Sequence, residues 1–238
     1  MIKIEDEGII INIRSCGENG AVISVLSENN GIVNGYISKL SNRKNNNLYH
    51  ISNHVKFSWQ SRLEENLGSF SMSLIKGYAS IHILDKIKSA MLMSVASLIY
   101  LSFKEREPLN NFYHTTLALF DDLNAKNYIF WELILLEYSG FGLDLTKCAA
   151  TGAVDDLCFV SPKTGRAVSK EAGIPYKDVL LLLPKFLICD NVDFDVNDIK
   201  EGLNLSGYFL KKHIFNQRNM PYIRSILEDY LLNEKIIV

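Results

Sequence analysis

The sequence predicts an α+β protein: a small barrel of five strands followed by a larger all-helical C-terminal domain. Three observations predict it. The first eighty residues carry five short runs rich in β-branched and aromatic residues, parted by turn chemistry. From about Ile81 the apolar residues recur at three and four positions instead of two. The chain has 238 residues, 47% of them hydrophobic, which is enough to bury a real core.

The strand runs cover residues 8–14, 21–26, 31–37, 54–59 and 70–78. The breaks hold Gly17-Glu18-Asn19-Gly20 and Glu28-Asn29-Asn30-Gly31, both rich in turn formers, and residues 42–47 form a longer polar loop. Five short strands in this span fit a closed barrel, of which the OB-fold is the commonest five-stranded case. An SH3-like barrel would give a similar pattern. The expected domains are residues 1–80 and 81–238.

In the second half, Ile83, Ile87, Ala90, Met91, Ser94 and Leu98 share one helical face, with Asp85 placed to favour the helix start. Pro108 suits the first position of a next helix. Helices are expected over residues 110–123, 128–139, 176–183, 197–215 and 221–233. Gly140 is placed to cap the second of these and Pro184 to stop the third.

A net charge of −2 excludes a globally basic nucleic-acid binder, so any anion-binding surface must be a local patch. Cys16, Cys148, Cys158 and Cys189 lack paired spacing, which suits a reducing compartment. The acidic start Glu5-Asp6-Glu7 does not resemble a signal peptide, and the apolar run at residues 91–103 falls short of a membrane span of about 20 residues. The expectation is a soluble, cytoplasmic protein with no membrane contact.

Catalytic signatures are missing. His50, His54, His82, His114 and His213 show no metal spacing, and Asp121-Asp122 and Asp155-Asp156 are adjacent pairs that point apart on a helix or sit in a turn. The sequence has neither a phosphate-binding P-loop nor a Gly-x-Ser-x-Gly elbow. Hence no enzyme and no cofactor are expected.

Several segments together resemble the RecO family. They are residues 140–152, the continuation 160–169, the run Leu180-Leu181-Leu182-Leu183-Pro184-Lys185-Phe186-Leu187, and an N-terminal set of Gly8-Ile9-Ile10, Arg14, Gly17-Glu18 and residues 26–31. Residues 39–44 correspond to that family's basic loop, and Glu105, Glu107, Pro108 and residues 205–210 also match. The resemblance runs through nearly the whole chain in order. It implies an OB-fold and then a helical domain in a bacterial, nucleoid-associated protein of DNA repair and recombination. It also implies binding to single- and double-stranded DNA, strand annealing, and help in loading RecA. The implied partners are RecR and the C-terminal tail of the single-stranded-DNA-binding protein. Many family members bind zinc through two Cys-x-x-Cys pairs in the middle loop, here residues 142–170. Cys148 stands at the first ligand position, but Thr151 stands at the second, and Val168 and Glu171 fall near the other pair. Four converging ligands are lacking, so no zinc is expected. Packing of Leu143, Leu145, Leu157 and Phe159 should hold the loop instead.

The candidate DNA-binding residues are Arg14, Lys39, Arg43, Lys44, Lys56, Arg62, Lys163 and Arg166. Cations of this kind neutralise phosphates and give salt-sensitive, sequence-independent binding. Tyr36, Phe57 and Trp59 are candidates for base stacking, or else belong to the barrel core. Lys211, Lys212, Arg218 and Arg224 are candidates for holding a partner tail that ends in a carboxylate; otherwise they complement helix dipoles. Two rivals remain: an interaction adaptor with no DNA binding of its own, and a DNA enzyme with an unrecognised, Mg2+-dependent site.

Overall fold

A computed structural model describes residues 1–38, 47–63, 66–109, 111–189, 192–216 and 219–233. The chain forms two compact units, Met1–Asp121 and Asp122–Val238.

In the first unit, β1 (Ile2–Cys16), β2 (Gly20–Ser27), β3 (Gly31–Ile37), β4 (His54–Ser61) and β5 (Gly68–Lys76) close into a barrel in the order β1-β2-β3-β5-β4. Every neighbour is antiparallel except β3 and β5, which run parallel through Gly35–Gly68 and Tyr36–Ser69. Closure depends on β1. Its residues 2–9 pair with β4 and its residues 8–16 pair with β2, with a bulge between Ile10 and Asn12 that bends the strand. Alternation sets the faces: in β4, Val55, Phe57 and Trp59 are buried while Lys56 and Gln60 are exposed. Ile10, Ile23, Val25, Val33, Val55, Phe57, Trp59 and Phe70 fill the barrel.

The β2–β3 turn is tied down by Asp6. Its buried carboxylate accepts from the Ser27 hydroxyl, from the Asn29 N–H and Nδ2 at 3.0 Å each, and from Asn30 Nδ2 at 2.8 Å. Gly31 has φ +64, and a Cβ there would come within 2.1 Å of the Glu107 carbonyl oxygen, so only glycine fits.

Three helices complete this unit: α1 (Tyr78–Ile81), α2 (Lys86–Ser102) and α3 (Phe112–Asp121). Asp85 caps α2, as its position suggested, accepting from the Lys88 N–H at 2.9 Å. Ser52 Oγ donates to the Leu92 carbonyl at 3.0 Å, and Tyr113 Oη lies 2.7 Å from His54 Nε2. The change from strand to helix thus falls at Gly77, but these bonds make α1 to α3 part of the barrel's own compact unit. Pro108 does not open α3. It lies in a non-helical stretch that returns to the barrel, where the Arg106 N–H donates to the Ile32 carbonyl at 3.0 Å and Ile32 bridges Glu105 in parallel.

The second unit comprises α4 (Ala125–Tyr138), β6 (Leu157–Val160), β7 (Ala167–Ser169), α5 (Lys170–Gly173), β8 (Leu181–Leu182), α6 (Val196–Phe209) and α7 (Tyr222–Asn233). The strands form a small sheet, β7-β6-β8, so this half is not all-helical. The leucine run expected to be helical is instead the edge strand β8, with Leu182 opposite Phe159 and Leu181 opposite Val160. A short apolar run has no period that separates strand from buried helix, and partner β6 decides it. Gly140, at φ +84, closes α4 as expected. Its N–H donates to the Glu137 carbonyl at 2.9 Å and the Phe141 N–H to the Leu136 carbonyl at 2.8 Å, a Schellman arrangement. The second core joins Tyr128, Trp131 and Leu135 of α4 to Leu203 and Phe209 of α6 and Leu227 and Leu231 of α7. Past Phe209, α6 widens into a π-helical turn, Leu210–Ile214.

Candidate nucleic-acid interface

Strand register places a continuous row of side chains on the outside of the barrel. Arg14 pairs with Val22, Val22 with Tyr36, Tyr36 with Ser69, Ser69 with Gln60, and Gln60 with Lys3. The row winds around the barrel and returns to β1 eleven positions before Arg14, the stagger that a closed barrel requires. None of the six is buried. Lys3 pairs with Glu5, so the row's cationic character rests on Arg14 at one end and on Arg62, which follows β4.

Two depressions open along this row, and Tyr36 lines the first. One, of about 390 Å3, is lined by Tyr36, Gln60, Arg62, Leu67 and Ser69. The other, of about 480 Å3, is lined by Arg14, Val22, Asn34, Leu67, Glu105 and Arg106. The Tyr36 ring lies over Gly20, whose missing side chain leaves it room: a Cβ there would meet the phenol oxygen at 2.2 Å. Tyr36 thus offers a half-exposed ring between two arginines, the arrangement on which a single strand can stack a base and seat its phosphates.

The other two aromatic candidates belong to the core. Phe57 and Trp59 are 2% and 1% exposed. Trp59 Nε1 donates to the Asn34 carbonyl at 2.9 Å, and the Arg106 guanidinium lies over its ring, 4.3 Å from the centroid. Sequence reasoning missed Arg106. It lies far from the barrel in the chain, and only the return of residues 105–106 to β3 brings it to this face. Its φ of +60, rare for a non-glycine residue, was the feature no sequence pattern disclosed.

Lys56 is exposed but stands about 13 Å along β4 from Gln60, opposite Glu7. It therefore sits beside acid and off the row. Lys39, Arg43 and Lys44 lie outside the described residues.

In the middle loop Lys163 is exposed, while Arg166 Nε pairs with Asp144 Oδ2 at 3.3 Å. Arg166 therefore carries its own counter-ion. Leu157 and Phe159 are buried and Leu143 and Leu145 half-buried, and backbone bonds add the rest: the Asp144 N–H donates to the Gly165 carbonyl at 3.0 Å and the Ala149 N–H to the Ala167 carbonyl at 2.8 Å. Cys148 is buried, and its sulfur accepts the Ser169 N–H at 3.2 Å. Burial pushes this thiol up, but hydrogen bonds from Ser169 and Thr151 outweigh that and bring it down to about 6. Thr151 Oγ1 meanwhile accepts the Ala153 N–H at 3.3 Å. Among the described residues no three His, Cys, Asp or Glu side chains converge. These residues do not fit a structural zinc.

The candidate tail site also needs correction. Arg224 is 2% exposed and faces inward, bonded to Glu132 and Glu228. It rims no groove. Lys212 donates to the Pro162 carbonyl and lies 5.9 Å from the ring centres of Tyr208 and Phe209. Lys211 lines a depression of about 410 Å3 with Asn219, Met220, Tyr222 and Ser225. Arg218 lies outside the described residues.

The sequence that forms these two units is similar to that of proteins of recombination and DNA repair. The family model described as "Recombination protein O N terminal" matches residues 1–78, and "Recombination protein O C terminal" matches residues 84–220. The chain is 39% identical over 241 residues to "DNA repair protein RecO" of Rickettsia bellii (strain OSU 85-389), covering 99% of both chains. It is 39% identical to the protein of that name from Rickettsia akari (strain Hartford), covering 98% of this chain and 100% of the relative. For that of Orientia tsutsugamushi (strain Ikeda) the identity is 37%, covering 95% and 96%. The chain belongs to the RecO family of DNA repair proteins. No helix among the described residues is long and apolar enough to cross a membrane.

Proposed function

We propose that the chain is a non-enzymatic recombination mediator that binds single- and double-stranded DNA through an OB-fold barrel, anneals complementary strands, and helps to load RecA together with RecR. The observation that carries this reading is the outward row with Tyr36 between Arg14 and Arg62. Cations on one face neutralise phosphates and release counterions, and a molecule that neutralises two backbones removes the repulsion between them. Lys39, Arg43, Lys44 and Lys163 are the further cations that would contact phosphates. The apolar and cationic depression at Lys211 suits the tail of the single-stranded-DNA-binding protein, whose carboxylate would take the lysine. Such a protein works at the nucleoid.

The test is a salt titration of single-stranded oligonucleotide binding, with annealing of the complement followed in the same sample. An Arg14→Glu, Arg62→Glu double variant should flatten the slope of log affinity against log salt by about 1.4, since each phosphate contact on a single strand contributes about 0.7. An unchanged slope in the folded variant would remove the row from the DNA path.

A second reading, an adaptor without DNA binding of its own, is favoured by one observation. Ile81, Ile83 and Leu84 are exposed within four residues, Leu84 almost completely. That reading requires no oligonucleotide binding even at low salt.

A further inference from the structure

The depression beside Trp59 differs in chemistry from a phosphate track. Arg14 and Arg106 bring cations to it, Val22 and Leu67 bring apolar surface, and Asn34, Asn66 and Glu105 bring polar groups able to read an edge. Glu105 is exposed and accepts from Asn34 Nδ2. That bond turns the side-chain amide oxygen of Asn34, Oδ1, inward, where it is buried with no donor among the described residues. The acceptors of this pair thus outnumber its donors, an arrangement that native proteins rarely leave uncompensated. A ligand suited to it presents a flat apolar face, hydrogen-bond donors on one edge, and negative charge on either side.

We propose that this notch takes one unstacked base of a bound single strand and prefers bases with an exocyclic amino group, Glu105 accepting the amino proton while Arg14 and Arg106 meet the flanking phosphates. The proposal rests on the reading of the barrel as a DNA-binding face. Carboxylates accept from the cytosine amino group, whereas thymine offers only a carbonyl at that position. A strand crossing the row at Tyr36 would then be read at one position and stacked without discrimination at the next.

The test compares short homopolymers of deoxycytidine and deoxythymidine by fluorescence anisotropy at neutral pH and matched salt. The native protein should bind the cytosine strand about 5-fold more tightly, the ratio for roughly 1 kcal/mol of discrimination. Glu105→Gln keeps an acceptor for Asn34 but replaces one oxygen by a donor, so it should abolish or reverse that ratio. Equal binding of the two strands by native protein, or a preference that survives in Glu105→Gln, overturns the notch and leaves the DNA-binding face standing. Absence of binding to either strand overturns both.

Discussion

Arg224 of α7 and Glu132 of α4 form an ion pair closed off from water, with Nε 3.0 Å from Oε1 and Nη2 3.1 Å from Oε2. The residues are 2% and 0% exposed. The remaining valences are met: Ser206 Oγ donates to Glu132 at 2.5 Å, and Arg224 Nη2 also donates to the Leu203 carbonyl at 3.0 Å. One side chain therefore joins α4, α6 and α7. Removing one partner leaves a buried charge alone, which costs about 3–5 kcal/mol, whereas replacing both by apolar groups is often neutral. Arg224→Met is expected to lower the unfolding free energy by about that amount in urea denaturation, and adding Glu132→Leu to restore most of it. Equal losses in the single and double variants would show that packing, rather than the pair, holds α7.

Arg106 combines two opposed contributions, and glycine separates them. Its cation over Trp59 is worth roughly 0.5–1 kcal/mol, while a left-handed backbone at a non-glycine residue costs on the order of 1 kcal/mol. Arg106→Gly is therefore expected to leave the urea midpoint almost unchanged. The same variant should flatten the salt dependence of single-stranded oligonucleotide binding by about 0.7. A large loss of stability with an unchanged slope would make Arg106 a structural clamp on β3.

Much of the barrel was legible because its strands alternate and are punctuated by turn residues, and Asp85 and Gly140 announced their caps through residue type alone. The small sheet was not. β7 has three residues and β8 two, too few for any period, and both exist only because β6 lies between them. The candidate site was legible in part: Arg14 and Arg62 reach the depressions, but a count of cations does not distinguish Arg106, on the barrel face, from Arg224, inside a core. That distinction depends on contacts between residues far apart in the chain. Tyr36 and Trp59 illustrate the same limit, since only strand register puts one outside and the other inside.

His54 makes stability depend on pH near neutrality. Burial holds its pKa below the ordinary value, while Glu7, at 3.3 Å, and the more distant Asp121 and Glu28 work the other way. Tyr113 Oη lies against the ring, and Lys76 is its register partner on β5. Because the folded pKa is depressed, the unfolded chain takes up the proton first as pH falls. Stability is therefore full above about pH 6.5, declines as pH drops through that value, and levels off below the folded pKa. Urea midpoints measured at about pH 7.5 and about pH 5.5 should differ more for native protein than for His54→Gln. An equal difference in both would assign the dependence to His82 or His213, which burial also lowers.

The four cysteines should separate by access rather than by acidity. Cys148 has its thiol drawn down to about 6, yet it is 1% exposed and its sulfur is occupied by the Ser169 N–H. Cys16 and Cys189 are exposed, and Cys158 is partly covered, its thiol pushed up by burial and by Asp156. A thiolate reacts only where the reagent can reach it. Brief alkylation of native protein, read by peptide mass spectrometry, is expected to label Cys16 and Cys189 first and Cys148 only after denaturation. A chelator should not change that order, because two cysteines and no histidine in residues 142–170 cannot close a four-ligand zinc site. Rapid labelling of Cys148 in native protein would mean that residues 148–153 open locally, and labelling that accelerates with chelator would mean that a metal holds them.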